Sequence, residues 1–126
     1  MGERTETQWD FEERAFQFAW EVRALVKRIP RTICNRQDVK QLARCSGSVG
    51  ANYIETTDPL GPKDFKYRLR IARKEARESR HFLRLLNVGG DAAVATKRDD
   101  LIQEATELTR ILSAMIRNAE RREANN

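Results

Sequence analysis

Phe65-Lys66-Tyr67-Arg68-Leu69-Arg70-Ile71-Ala72-Arg73-Lys74-Glu75-Ala76-Arg77-Glu78-Ser79-Arg80-His81-Phe82-Leu83-Arg84-Leu85-Leu86 is the stretch on which the fold turns. Its apolar and small positions Phe65, Leu69, Ala72, Ala76, Ser79, Leu83 and Leu86 recur at alternating spacings of four and three. That period places them on one face of an α-helix, whereas a half-buried strand would alternate at every second residue. The remaining positions are mostly Arg, Lys and Glu, which are good helix formers and suit a solvated face.

Working outward, Thr57-Asp58-Pro59-Leu60-Gly61-Pro62 collects turn formers, and each proline pushes its predecessor out of the helical region. Upstream of that loop, Val39, Leu42, Ser46, Val49 and Tyr53 form a second helical stripe, with Asn35 and Asp38 as a start signal. Earlier still, Phe11, Ala15, Phe18, Val22, Leu25 and Ile29 form another stripe, with a capping-box pattern at Asp10 and Glu13 and a stop at Pro30. Downstream, Gly89-Gly90 ends the central helix, and Thr96 with Asp99 opens a last one. Its stripe is Leu101, Ala105, Leu108, Leu112, Met115 and Ala119, before a polar tail from Arg121 to Asn126 expected to fray. The sequence therefore predicts an all-α, antiparallel up-down four-helix bundle, with helices at about 10–29, 36–56, 62–87 and 97–121 in a single domain over 1–126.

The composition agrees, because 126 residues suffice for one core and leave no room for a second. No apolar stretch approaches the roughly 20 residues that span a bilayer, and no basic-then-apolar leader opens the chain, so a cytoplasmic protein with no membrane partner is expected. Cys34 and Cys45 have neither zinc-site nor redox spacing and read as free thiols. A single histidine, with no nucleophile elbow, phosphate loop or metalloprotease motif, argues against an enzyme. Glu78 and His81 match one Glu-x-x-His element of a di-iron bundle, but that site needs two such elements, so neither metal nor cofactor is expected.

The net charge of +5 is concentrated in the central helix. Residues 61–90 hold nine Lys or Arg against three Asp or Glu, whereas the other 96 residues carry 15 against 16. Lys66, Arg70, Arg73, Arg77, Arg80 and Arg84 follow the four-three spacing and form a stripe beside the core stripe. A polyanion such as RNA or DNA would relieve their mutual repulsion by counterion release. The alternative is a solvated face whose arginines pair with acids on neighbouring helices or subunits.

Ile71 and Phe82 on the other flank of this helix, and Phe16 with Trp20 off the main stripe of the first, exceed what a small bundle must bury. Ile111 and Ile116 add to the excess. Apolar ridges of this kind mark an interface, so a homo-oligomer is expected. In the second helix, Ala43, Gly47, Gly50 and Ala51 allow close helix approach at a cost in helix propensity. Cys45, Ser48, Asn52 and Glu55 form a polar line, read as buried contacts in which Glu55 approaches Glu75 or Glu78 with a basic partner such as Lys74.

The run Gly47-Ser48-Val49-Gly50-Ala51-Asn52-Tyr53-Ile54-Glu55, then Asp64-Phe65 and Leu69 to Ser79, then Glu104 to Ser113, resembles the bacterial four-helix-bundle proteins encoded by intervening sequences of 23S ribosomal RNA genes. The most specific parts are the S-x-x-x-N-x-x-E line and the I-A-x-K-E-A-x-E run. The resemblance implies a ring-shaped homopentamer. It also implies kinship with the accessory variability determinant of diversity-generating retroelements, a basic pentamer that binds nucleic acid and partners a reverse transcriptase. Ser48, Asn52, Glu55, Glu75 and Glu78 match family positions and are read as structural. The sequence departs from the family pattern at Thr56 and at His81-Phe82. Two functions follow as expectations: a nucleic-acid-binding accessory protein, or an adaptor for a protein such as a reverse transcriptase.

Overall fold

The computed structural model describes residues 6–125, with side chains described from residue 10 onward. Residues 1–5 and 126 of the expected domain, and with them the end of the expected frayed tail, lie outside the described residues. Four helices and no strands are present among them: α1 Glu6–Val26, α2 Ile33–Glu55, α3 Pro62–Leu85 and α4 Ala92–Ala124.

Each helix packs on its neighbours in sequence, and α1 closes the circle against α4. Cross-helix contacts give the direction of each pair. Between α2 and α3, Arg44 meets Glu78 and Asn52 meets Arg68. Between α3 and α4, Lys66 meets Glu123 and Arg80 meets Thr106. Between α1 and α4, Arg14 meets Glu104 and Glu21 meets Lys97. Numbers rise on one helix as they fall on the other, so these neighbours are antiparallel, as short connections between long helices require.

The four stripes meet in one core. Phe11, Ala15, Phe18, Val22, Leu25 and Ile29 are all buried, as are Leu42, Val49 and Tyr53 of α2 and Leu69, Ala72, Ala76 and Leu83 of α3. Phe11 and Tyr53 stack obliquely with ring centroids 4.5 Å apart. In α4 the stripe continues through Ile116 rather than Met115, which is only half-buried, and it begins upstream at Val94. Ile116, read from the sequence as part of an outer ridge, is therefore a core residue, four positions after Leu112.

All four helices depart from the expected bounds. Helix α1 ends at Val26 rather than near residue 29, and α4 runs to Ala124, so residues 121–124 continue the helix where a frayed tail was expected. Helix α1 already runs from Glu6, so Asp10 lies inside the helix and Glu13 accepts from Gln17 one turn later at 3.2 Å. Helix α2 is capped by Thr32, whose hydroxyl accepts from the Asn35 amide at 3.0 Å. Helix α4 is capped by Asp91, which accepts from the Ala93 and Val94 amides, so the helix starts a full turn before Thr96. A nearer acceptor at the chain's turn outcompetes the weaker signal downstream. Helix α3 stops at Leu85 rather than at the glycine pair, and at its end Arg98 of α4 donates to the carbonyls of Leu83 and Leu86. Gly89, with φ of 76°, then turns the chain toward Asp91, and a Cβ there would sit 3.2 Å from the Pro30 ring.

Asn35, displaced from its expected capping role, joins the two turns at one end of the bundle. Its amide nitrogen donates to the carbonyls of Pro30 and Asn87, both at 2.8 Å, and its amide oxygen accepts from the Asn87 backbone at 3.0 Å. The residue is almost wholly buried. Removing the buried side chain takes the partner from three backbone groups at once. Asn35→Ala is therefore expected to cost about 2–3 kcal/mol in urea unfolding. Asn35→Asp should be no better, since it turns an acceptor toward two carbonyls. A loss below about 0.5 kcal/mol for Asn35→Ala would contradict this role.

Candidate nucleic-acid interface

The six cations of the α3 stripe line the seam with α4, and the antiparallel register sorts them into three kinds. Lys66 and Arg70, at the start of α3, meet the end of α4, where they pair with Glu123 and with Glu120, the latter at 3.0 Å. Arg73 and Arg80 reach hydroxyls instead, donating to Ser113 at 3.3 Å and to Thr106 at 3.2 Å. A hydroxyl satisfies a guanidinium N–H without cancelling its charge. Arg77 and Arg84 are exposed and form no ion pair with a described residue. The sequence left open whether the stripe is neutralised by neighbouring acids or free for a polyanion. One end is neutralised, and the other four arginines keep their charge.

On the opposite flank of α3, Glu75 is buried and Glu78 half-buried against α2. Arg44 of α2 holds both, at 3.3 Å and 3.1 Å. The Glu75 charge, and then the hydrogen bond that Arg44 donates to Glu78, hold the pKa of the Arg44 guanidinium above its ordinary value. Lys74 adds a longer contact to Glu78 at 3.9 Å. Glu55 takes no part, which corrects the expectation that it approaches Glu75 or Glu78. It sits at the end of α2, and the antiparallel arrangement places it beside the start of α3 rather than its middle. Its side chain is exposed. Arg44 is absent from the polar line read in the sequence, which comprises Cys45, Ser48, Asn52 and Glu55. It lies on the same flank, one turn earlier.

Ser48 and Asn52 satisfy their own helix first. The Ser48 hydroxyl donates to the Arg44 carbonyl, and the Asn52 amide donates to the Ser48 carbonyl, each at 2.9 Å. The Asn52 oxygen also accepts from Arg68 at 3.4 Å, while Asp64 lies 3.5 Å from the same guanidinium. Deeper in this seam, the Ser79 hydroxyl donates to the Glu75 carbonyl at 2.8 Å and lies 3.3 Å from the Cys45 sulfur. Burial pushes the Cys45 thiol up, Ser79 opposes this, and the Glu75 charge adds to the rise. A thiol kept protonated and closed off from solvent is a packing group rather than a nucleophile.

His81 is exposed and meets the edge of Phe82, with centroids 5.1 Å apart. Glu78, the other half of the Glu-x-x-His element, faces Arg44. No group of three or more His, Cys, Asp or Glu side chains among the described residues is placed to hold a metal ion.

The four residues expected at an oligomer interface fall in two places. Phe16 and Trp20 project from α1, 55% and 62% exposed, and stack with centroids 6.1 Å apart. Beside them runs a shallow apolar groove over Ala19, Gly50, Ala51 and Ile54. A Cβ on Gly47 would come within 3.3 Å of the Arg23 guanidinium, so this glycine makes room for Arg23 to lie across α2 and donate to the Ala43 carbonyl. Ile71 and Phe82 are half-buried on α3, and Phe82 packs against the core.

The near-neutral remainder of the chain is a sum of two opposed regions. Residues 23–44 contain seven Lys or Arg and one acid, whereas residues 3–21 contain six acids and two arginines. The signal was present in the sequence and vanished when both regions were added together.

Among the described residues, no helix is long and apolar enough to cross a membrane. No curated protein matches the sequence. The chain is similar in structure to a crystal structure from Bacteroides thetaiotaomicron VPI-5482, described as a protein of unknown function from the S23 ribosomal protein family. The TM-score is 0.71 at 26% identity, covering 87% of this chain and 97% of that one. The family model of the 23S rRNA-intervening sequence protein matches residues 7–114. This match spans most of a four-helix chain, and the protein belongs to the 23S rRNA-intervening sequence protein family.

Proposed function

We propose that this protein is a non-enzymatic, cytoplasmic, homo-oligomeric bundle that contacts the phosphate backbone of RNA or DNA. The observation that carries the reading is the charge left on α3: Arg77 and Arg84 are exposed, and Arg73 and Arg80 bond only to hydroxyls. Guanidinium groups spaced along one helix reach phosphates more readily than base edges, so little base specificity is expected. The exposed Phe16–Trp20 pair supports self-association, because large apolar side chains stacked on a surface beside a groove of small residues bury well against a second copy. A ring-shaped pentamer, which the family resemblance implies, would repeat the arginine row around its circumference.

The same Phe16–Trp20 face favours a second reading, in which the bundle is an adaptor and the face receives another protein, such as the reverse transcriptase that the resemblance to retroelement accessory proteins implies. The two readings differ in what the arginines do.

Anisotropy titration with labelled RNA and duplex DNA should show binding that weakens steeply with salt. Replacing Arg77 and Arg84 together by Gln should lower the slope of log K against log salt by about two. No binding by the unaltered protein at low salt would sink the first reading and leave the adaptor. Light scattering at micromolar concentration should return a multiple of the 14.6 kDa chain mass, reduced by Trp20→Glu. A clean monomer would remove self-association.

A further inference from the structure

Five cations crowd the connection between α1 and α2 and the first turns of α2: Lys27, Arg28, Arg31, Arg36 and Lys40 are all exposed. Asp38 is the one acid between residues 27 and 40, and it is half-buried. Arg28 approaches Asp91 at 3.9 Å, at the outer limit of an ion pair. Lys27, Arg31, Arg36 and Lys40 form no ion pair with a described residue. Unlike Lys66 and Arg70 on α3, these charges meet no neutralising helix end.

Their arrangement has a shape. Arg31, Arg36 and Lys40 rim a groove whose apolar floor includes Val26 and Val39, with Ile33 projecting at its edge, 76% exposed, and Gln37 beside it. The Asn35 bonds to Pro30 and Asn87 hold this turn against the α3–α4 turn, so the groove is anchored and Arg84 ends the α3 row at the same end of the bundle. The α1–α2 connection is thus positive, whereas the sequence at the start of α1 is acidic.

A cationic rim over an apolar floor matches the two faces of an unpaired nucleotide. Arginine forks take phosphate oxygens in pairs, and an unstacked base covers the aliphatic floor while Gln37 offers both a donor and an acceptor to its edge. A duplex keeps its bases stacked and would use only the rim. A lipid surface calls for several large apolar side chains projecting past the cations, and here Ile33 alone does so. We propose that the α1–α2 groove is a binding site for single-stranded RNA or DNA. This rests on the nucleic-acid reading above and names the strand state and the surface that it did not.

The test is anisotropy with a labelled single strand of about 12 nucleotides and a duplex of the same sequence. The unaltered protein should bind the single strand several-fold more tightly. The triple variant Arg31→Gln, Arg36→Gln, Lys40→Gln should lose at least about tenfold in single-strand affinity and lower the salt slope by about two. Ile33→Ser removes the apolar edge without changing the charge of the rim, and should weaken the single strand while leaving the duplex unchanged. Circular dichroism of each variant should match the unaltered chain. Single-strand affinity unchanged in the triple variant but lost in Arg77→Gln, Arg84→Gln would overturn this site and keep the nucleic-acid reading. Absence of binding by the unaltered protein would overturn both. Poly-glutamate competing as well as unlabelled single strand at equal charge would overturn the site as one for nucleic acid.

Discussion

The bundle's charge pattern depends on the register in which its antiparallel helices meet, and Asn35 fixes that register at one end. Its buried side chain donates two hydrogen bonds, to the Pro30 and Asn87 carbonyls, and accepts one from the Asn87 amide, which ties the α1–α2 turn to the α3–α4 turn. With that end fixed, helical rise alone determines which side chains face each other further down. Lys66 and Arg70 then reach acids near the end of α4, and Glu75 and Glu78 reach Arg44. Arg77 and Arg84 reach none. A shift of one turn would redistribute these pairs and strand the buried Glu75, which is costly for any carboxylate removed from water.

The two flanks of α3 therefore have different duties. The flank against α2 is closed, with a paired buried carboxylate, a satisfied serine and an enclosed thiol. The flank against α4 is open along most of its length, because α4 presents threonine and serine where further acids would have neutralised it. Positive surface on this molecule is the residue of incomplete pairing rather than of composition alone. The same holds at the turn end, where Asp91 approaches Arg28 while Lys27, Arg31, Arg36 and Lys40 form no ion pair with a described residue.

The core was legible because burial writes a period into the chain, and the Phe11 to Ile29 stripe shows this, with each of its six positions buried. The helix starts were harder, since Thr32 and Asp91 are as good caps as the residues chosen downstream, and only the competition between them decides. Ile116 was misplaced because Met115 fits the spacing equally well. The candidate site was legible as a row of cations on one face, but which of them are neutralised follows from contacts between helices, which single-helix periodicity does not contain. Glu55 and Arg44 show the same limit: both lie on one flank, and only the pairing of α2 with α3 chooses between them. The basic turn was written in the sequence and was concealed by summing it with the acidic start of α1.

Lysine acetylation footprinting with and without a single-stranded oligonucleotide tests the central claim, that uncompensated charge at the turn end meets the ligand. Lys27 and Lys40, exposed beside the groove, should become protected, while Lys63, exposed at the opposite end, should react as before. Protection of Lys63 with Lys27 and Lys40 unchanged would contradict the account.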